Sequence, residues 1–207
     1  RQDTSNGAQY TGDGITSGVP VLFHHALAQL CIKAKIADGC ASDGTTSWKV
    51  NISNVSLAGV FKKGSLGLTN ADPQTSATTV QWSVTDGSWT VDQDSDTEAF
   101  TFTSPTLVGT SAQDLLAMRS VLPQAVTSSM ILSFDWEIET WESSTRLSTE
   151  SLHFSGSLAS MASAITSWAM GTQVTYTLVF DPSSDVISIA PSVASWTDAG
   201  SSGVVVE

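Results

Sequence analysis

The chain has 207 residues, 41% of them apolar and only 14% charged, and eight basic against twenty acidic side chains give a formal net charge of −12. That length suits one large or two small domains, and the apolar fraction suffices for a packed core. The acidic balance excludes nucleic acid as a partner, because phosphate binding needs clustered Lys and Arg and the only basic groupings are Lys33/Lys35 and Lys62/Lys63. The longest apolar run falls far short of the roughly 20 residues that span a bilayer as a helix.

Residues 1–18 are polar and Gly-rich without periodicity, so they read as an arm or linker, and residues 19–207 as the folded domain. The opening RQDTSNGAQYTGDG has no apolar core of a signal peptide; it reads as a mature or shortened product whose export signal lies upstream. FHHALAQ (23–29) suits a single helical turn. Leu30, Ile32, Ala34 and Ile36 then alternate with Cys31, Lys33 and Lys35, the pattern of a half-buried strand. ADGCASDGTT follows as a turn-rich loop. Trp48, Val50 and Ile52 alternate on even numbers, but Val55 and Leu57 fall on odd ones, so a bulge is expected at Ser53–Asn54.

Val80, Trp82 and Val84 form another alternating run, and Phe100 and Phe102 begin a further one. SAQDLLAMRSVL (111–122) suits either a short helix or an irregular connection. Met130, Leu132, Phe134, Trp136 and Ile138 give the cleanest strand, facing a second run at Val174, Tyr176, Leu178 and Phe180, after which DPSSD turns into VISIA. LASMASAITSWAM (158–170) alone has helix-like stretches. Short strands separated by Gly, Ser, Asp and Pro predict an all-β fold, an antiparallel sandwich with short helical connections.

Little in the chain points to chemistry. His24 and His25 are adjacent and point to opposite faces of an extended chain, and with His153 they read as packing or surface residues rather than metal ligands. Asp135, Glu137 and Glu139 line one strand face; two such carboxylates can hydrolyse glycosides, but an acidic stripe opposite an apolar one is what a solvated sheet face looks like. DQDSD (92–96) lacks the Gly and closing Glu of a calcium loop. Cys31 and Cys40 are either a disulfide across a hairpin end or two free thiols. No catalytic residue, metal or cofactor is expected. Of seven tryptophans, Trp82 and Trp136 fall in core patterns, whereas Trp89, Trp141 and Trp196 lie near strand ends; Trp89 and Trp141 are the candidate exposed aromatic contacts, for example for stacking on a sugar. The last residues, Val204, Val205, Val206 and Glu207, follow the spacer TDAGSSG. Three β-branched residues there are either a last strand of the chain's own sheet or a strand offered to a neighbour.

Four short patterns carry a resemblance. They are F-x-H-A-L at Phe23, His25, Ala26 and Leu27; I-S-N-V-S-L-A-G-V from Ile52 to Val60; L-P-Q at Leu122–Gln124; and W-x-x-G-x-x-x-x-Y at Trp168, Gly171 and Tyr176, leading on to Trp196. In this order, over residues 20–196, the chain resembles the fimbrillin family of Bacteroidales pilins, also called Mfa-like or type V pilins. The resemblance implies that these residues belong to the folding core, with Pro123 shaping a strand entry. It implies sandwich domains of transthyretin-like, Greek-key type, of which this chain resembles the second. It also implies a non-enzymatic structural or adhesive subunit of a cell-surface pilus, outer membrane-anchored or extracellular. Subunits would join one another by β-strand addition, Val204, Val205 and Val206 being the candidate assembly strand. Partners would be other pilus subunits and a surface receptor or glycan. The alternative reading is a secreted or surface carbohydrate-binding sandwich.

Overall fold

A computed structural model describes residues 25–67, 88–93, 97–101, 106–184 and 186–196. The arm at 1–18, His24, the run at Val80, Trp82 and Val84, Phe102, most of DQDSD and Val204–Val206 lie outside the described residues.

Two β-sheets face each other across a single apolar core. The first contains β1 (Ala28–Ile36), β7 (Gln113–Val121), β12 (Thr172–Asp181) and β13 (Val186–Ser195), in the order β13-β12-β1-β7. The second contains β2 (Thr46–Phe61), β5 (Thr97–Thr101), β9 (Ile131–Glu142) and β10 (Thr145–Ser157), in the order β10-β9-β2-β5, with β6 (Thr106–Val108) also on β2. Two small ribbons, β3 (Gly64–Gly67) with β4 (Ser88–Val91) and β8 (Gln124–Ala125) with β11 (Ser167–Trp168), complete the described strands. The only described helix is a single turn, α1 (Leu158–Met161).

Period-2 alternation explains why these segments are strands. Leu132, Phe134, Trp136 and Ile138 of β9 are buried while their neighbours are not, and Val174, Tyr176, Leu178 and Phe180 of β12 do the same from the opposite sheet. The two runs meet at the centre: the Phe134 and Phe180 rings cross edge to face with centroids 5.9 Å apart, and Trp136 tilts against Phe180 at 5.2 Å. Each such ring or aliphatic side chain contributes about 1.5–3 kcal/mol of burial free energy. Leu30, Ile32, Ala34 and Ile36 of β1 close the core from the first sheet. The bulge expected in β2 is present: its register against β9 slips between Ser53 and Ser56, and Asn54 adopts a φ of 52°.

The fold is the expected all-β sandwich, and it contains one parallel pair, β1 with β12. Two expectations need correcting. Residues 113–121 are neither helix nor irregular but the edge strand β7, whose pairing with β1 is bulged, so that adjacent Leu115 and Leu116 are both buried and the alternation is hidden. His25–Leu27 form no helical turn: the chain bends there and enters β1 at Ala28, where pairing with both β12 and β7 outweighs a local turn.

Candidate functional site

Most of the residues that carried the resemblance converge on one end of the sandwich. Gln124 is buried, and its amide takes the place of a strand: Oε1 accepts from the Phe61 N–H at 3.0 Å, and Nε2 donates to Phe61 O and Leu122 O, each at 3.1 Å. One side chain thereby satisfies both backbone groups of the last residue of β2. Trp168, beside Gln124 in the β8–β11 ribbon, donates its indole N–H to the Tyr176 hydroxyl at 3.0 Å, both residues being fully buried. Gly171, with a φ of 68°, donates to Leu27 O at 2.9 Å and accepts from the Trp196 N–H at 2.8 Å. The His25 ring stacks flat on Trp196 with centroids 3.7 Å apart. Gly59, at a φ of 82°, lets β2 pass so close to the Ser129 carbonyl that any Cβ would collide with it.

Beside this framework the two sheets do not close. β5 and β7 each pair on one side only among the described residues, and between them lies a groove of about 170 Å³ lined by Leu27, Val60, Phe61, Phe100, Val121 and Leu122, with Lys62 at its rim. On the opposite flank the edges are β10 and β13, where Leu147, Val186 and Val193 are exposed. Sequence reasoning found neither flank, because an edge is defined by the absence of a neighbour rather than by a pattern.

The carboxylates that could have suggested hydrolysis lie on the outward face of the second sheet, around an open hollow of about 640 Å³ lined by Asn51, Ser53, Asp135, Glu137, Ser151 and His153. Asp135 accepts from Asn54 at 2.7 Å and pairs with His153 at 2.6 Å, and these bonds hold its carboxyl below the usual aspartate range. Glu139 is lowered likewise by Arg146 and the Trp141 indole N–H. Neither carboxyl is raised, as a general acid would need to be. Among the described residues no three His, Cys, Asp or Glu side chains gather to hold a metal ion.

The two tryptophans read as aromatic contacts are both half-buried. Trp89 donates its indole N–H to Ala26 O at 2.6 Å and so braces the start of β1. Trp141 lies on the outward face with the Lys49 amine 4.0 Å from its ring centroid. The two cysteines are free thiols. Cys31 points away from the core yet is buried under the bulge of β7, its sulfur 3.3 Å from Leu116 O; burial and then Asp114 push its pKa up to about 11. Cys40 is half-buried and packs against the core in the turn after β1.

The sequence profile of the fimbrillin-like family matches residues 4–196. The chain belongs to the fimbrillin-like family. The framework of Gln124, Trp168, Gly171 and Tyr176 lies within the matched residues. Among solved structures it is similar to a fimbrial protein from Bacteroides vulgatus, at 14% identity and a TM-score of 0.50, covering 84% of this chain and 55% of that one. It is also similar to a candidate cell adhesion protein from Bacteroides uniformis, at 22% identity and a TM-score of 0.39, covering 86% and 54%. A candidate cell adhesion protein from Parabacteroides distasonis is similar at 12% identity and a TM-score of 0.47, covering 87% and 55%. The chain therefore spans about half the length of these structures. No curated protein matches it.

Proposed function

We propose that this chain is a structural subunit of a cell-surface pilus that joins its neighbours by β-strand addition. The observation that carries the reading is the fimbrillin-like match over residues 4–196, and the flank between β5 and β7, unpaired among the described residues, supports the mechanism. Two edge strands beside an apolar groove offer backbone hydrogen bonds and side-chain pockets together, which is what an added strand uses. Val204, Val205 and Val206 are the strand this sequence offers in return. Its partners are other pilus subunits, and its place is the fimbrium outside the cell, outer membrane-anchored or extracellular. Deleting Gly203–Glu207 is expected to leave the thermal midpoint nearly unchanged while abolishing polymer formation seen by electron microscopy. Unfolding of the truncated domain, or polymers that persist, would overturn the assignment of these residues.

A second reading concerns recognition. The outward hollow presents amide, hydroxyl, carboxylate and imidazole groups on the same face as Trp141, a combination suited to a glycan. Trp89, committed to Ala26 O, is the weaker candidate. Glycan-array binding lost in Trp141→Ala is the expected result; an array without signal removes this reading and leaves the first intact.

A further inference from the structure

Most described cations of this acidic chain are engaged on their own surface. Lys33 pairs with Asp114 at 3.3 Å, Lys35 with Asp38 at 3.1 Å and Arg146 with Glu139 at 2.9 Å. Lys49 lies over the Trp141 ring and Arg119 over the ring of Phe100. Lys62 and Lys63 differ. They follow β2 directly as an exposed pair at the groove end of the sandwich, and neither amine has an ion pair or a ring partner among the described residues.

The complementary feature lies on the outward face of the second sheet. Glu137 is the middle carboxylate of the row on β9. Its neighbours in the row are engaged, Asp135 by Asn54 and His153, Glu139 by Arg146 and Trp141. Glu137 is half-buried in the open hollow, with no hydrogen bond or ion pair among the described residues. In register on either side of it stand Asn51 of β2 and Ser151 of β10, both neutral and both lining the hollow. A carboxylate, an amide oxygen and a hydroxyl from three adjacent strands are acceptors for the three N–H donors of one lysine amine.

The two features cannot meet within one molecule. Asn51 and Lys62 are eleven residues apart along the line of β2, about 30 Å once the bulge is allowed for, several times the reach of a lysine side chain. A contact between them joins two copies through unlike surfaces. Where its rotation does not close a ring, such a contact repeats into a filament.

We propose that Lys62 and Lys63 of one subunit dock into the Glu137 hollow of a second copy and set the register between the two. Copies that each carry a net charge of −12 repel one another in most orientations, and entry of the basic tip into the acidic hollow relieves that repulsion. Exposed ion pairs hold weakly but steer association, so this contact orients the neighbour while strand addition holds it. The inference rests on the pilus-subunit reading, and within a polymer it leaves the hollow open to a glycan only on the last subunit.

Zero-length carbodiimide coupling, which joins an amine to a carboxylate it touches, tests the contact on the full chain. The expected product is a ladder of oligomers whose linked peptides join Lys62 or Lys63 to Glu137, with a yield that falls about tenfold between roughly 0.1 M and 1 M salt as screening tightens. Glu137→Gln should remove that linkage and leave the urea midpoint unchanged. Charge exchange gives a second readout by light scattering. Lys62→Glu with Lys63→Glu, or Glu137→Lys, should each slow self-association about tenfold, and all three substitutions in one chain should recover it in part, because every junction then pairs the exchanged charges. Linkages that still form in the chain lacking Gly203–Glu207 would support docking independently of the added strand. Polymers without these linkages would overturn the docking and leave the pilus-subunit reading standing. A chain that stays monomeric in every arm would overturn both.

Discussion

Gln124→Ala is the sharpest test of the framework at the groove end of the sandwich. The substitution removes three hydrogen bonds and leaves Phe61 N–H, Phe61 O and Leu122 O without their partner. Orphaning a buried backbone group costs about 1–3 kcal/mol. Phe61 and Leu122 are half-buried and line the groove, so water can reach the vacated site and the lower end of that range applies to each group. The sum is about 3 kcal/mol, which for a chain of this size lowers the melting temperature by roughly 6–12 °C. Urea denaturation followed by tryptophan fluorescence measures it as a fall in midpoint at constant slope. Gln124→Glu sharpens the comparison: it keeps an acceptor for Phe61 N–H but sets a carboxylate against two carbonyl oxygens. It should be at least as unstable at neutral pH and recover in part in acid, where a protonated carboxyl donates again. A loss below about 0.5 kcal/mol for Gln124→Ala, or a Glu variant as stable as the parent, would refute the reasoning.

Gly59→Ala should cost about 2 kcal/mol or more, from the positive φ and the collision with the Ser129 carbonyl, and an unchanged melting temperature would count against that close approach. Tyr176→Phe leaves the buried Trp168 indole N–H without its acceptor and should lower stability by about 1–3 kcal/mol in the same urea assay. Thiol titration should find one reactive cysteine, Cys40, in the native protein and two after denaturation; none after denaturation would mean a disulfide. The buried Cys31 thiol, raised from 9.0 to about 11, keeps its contribution below pH 9 and loses it as the pH rises toward 11. Alkaline destabilisation of about 2–3 kcal/mol should therefore shrink in Cys31→Ala.

Strands with unbroken alternation were legible residue by residue: β9 and β12 fall where period 2 places them, and the phase slip between Ile52 and Val55 marked the bulge of β2. β7 was not, because bulges against β1 bury Leu115 and Leu116 together and imitate the apolar doublet of a helix. The spacing of L-P-Q and of W-x-x-G-x-x-x-x-Y was visible, but its purpose was not. Gln124 serves Phe61, 63 residues away, and Gly171 serves Leu27, so the meaning lies in contacts that no local window contains. Cys31 shows the same limit: alternation assigned it to the outward face, and only the folded bulge of β7 buries it there.

The parallel pairing of β1 with β12 bears on how the chain is made. Gln29 aligns with Gln173 and Ile36 with Phe180, while the other neighbour of β1 is β7. Closing so long a loop is entropically costly and slow compared with zipping up the β9–β10 hairpin next to its own turn. A ribosome delivers residues 28–36 well before residues 172–181. During that interval β1 can gain β7 on one side, but its other edge stays open, and an apolar strand in that condition pairs with whatever it meets. Productive folding of the nascent chain is therefore governed by how well the open edge of β1 is shielded until β12 arrives, more than by final stability.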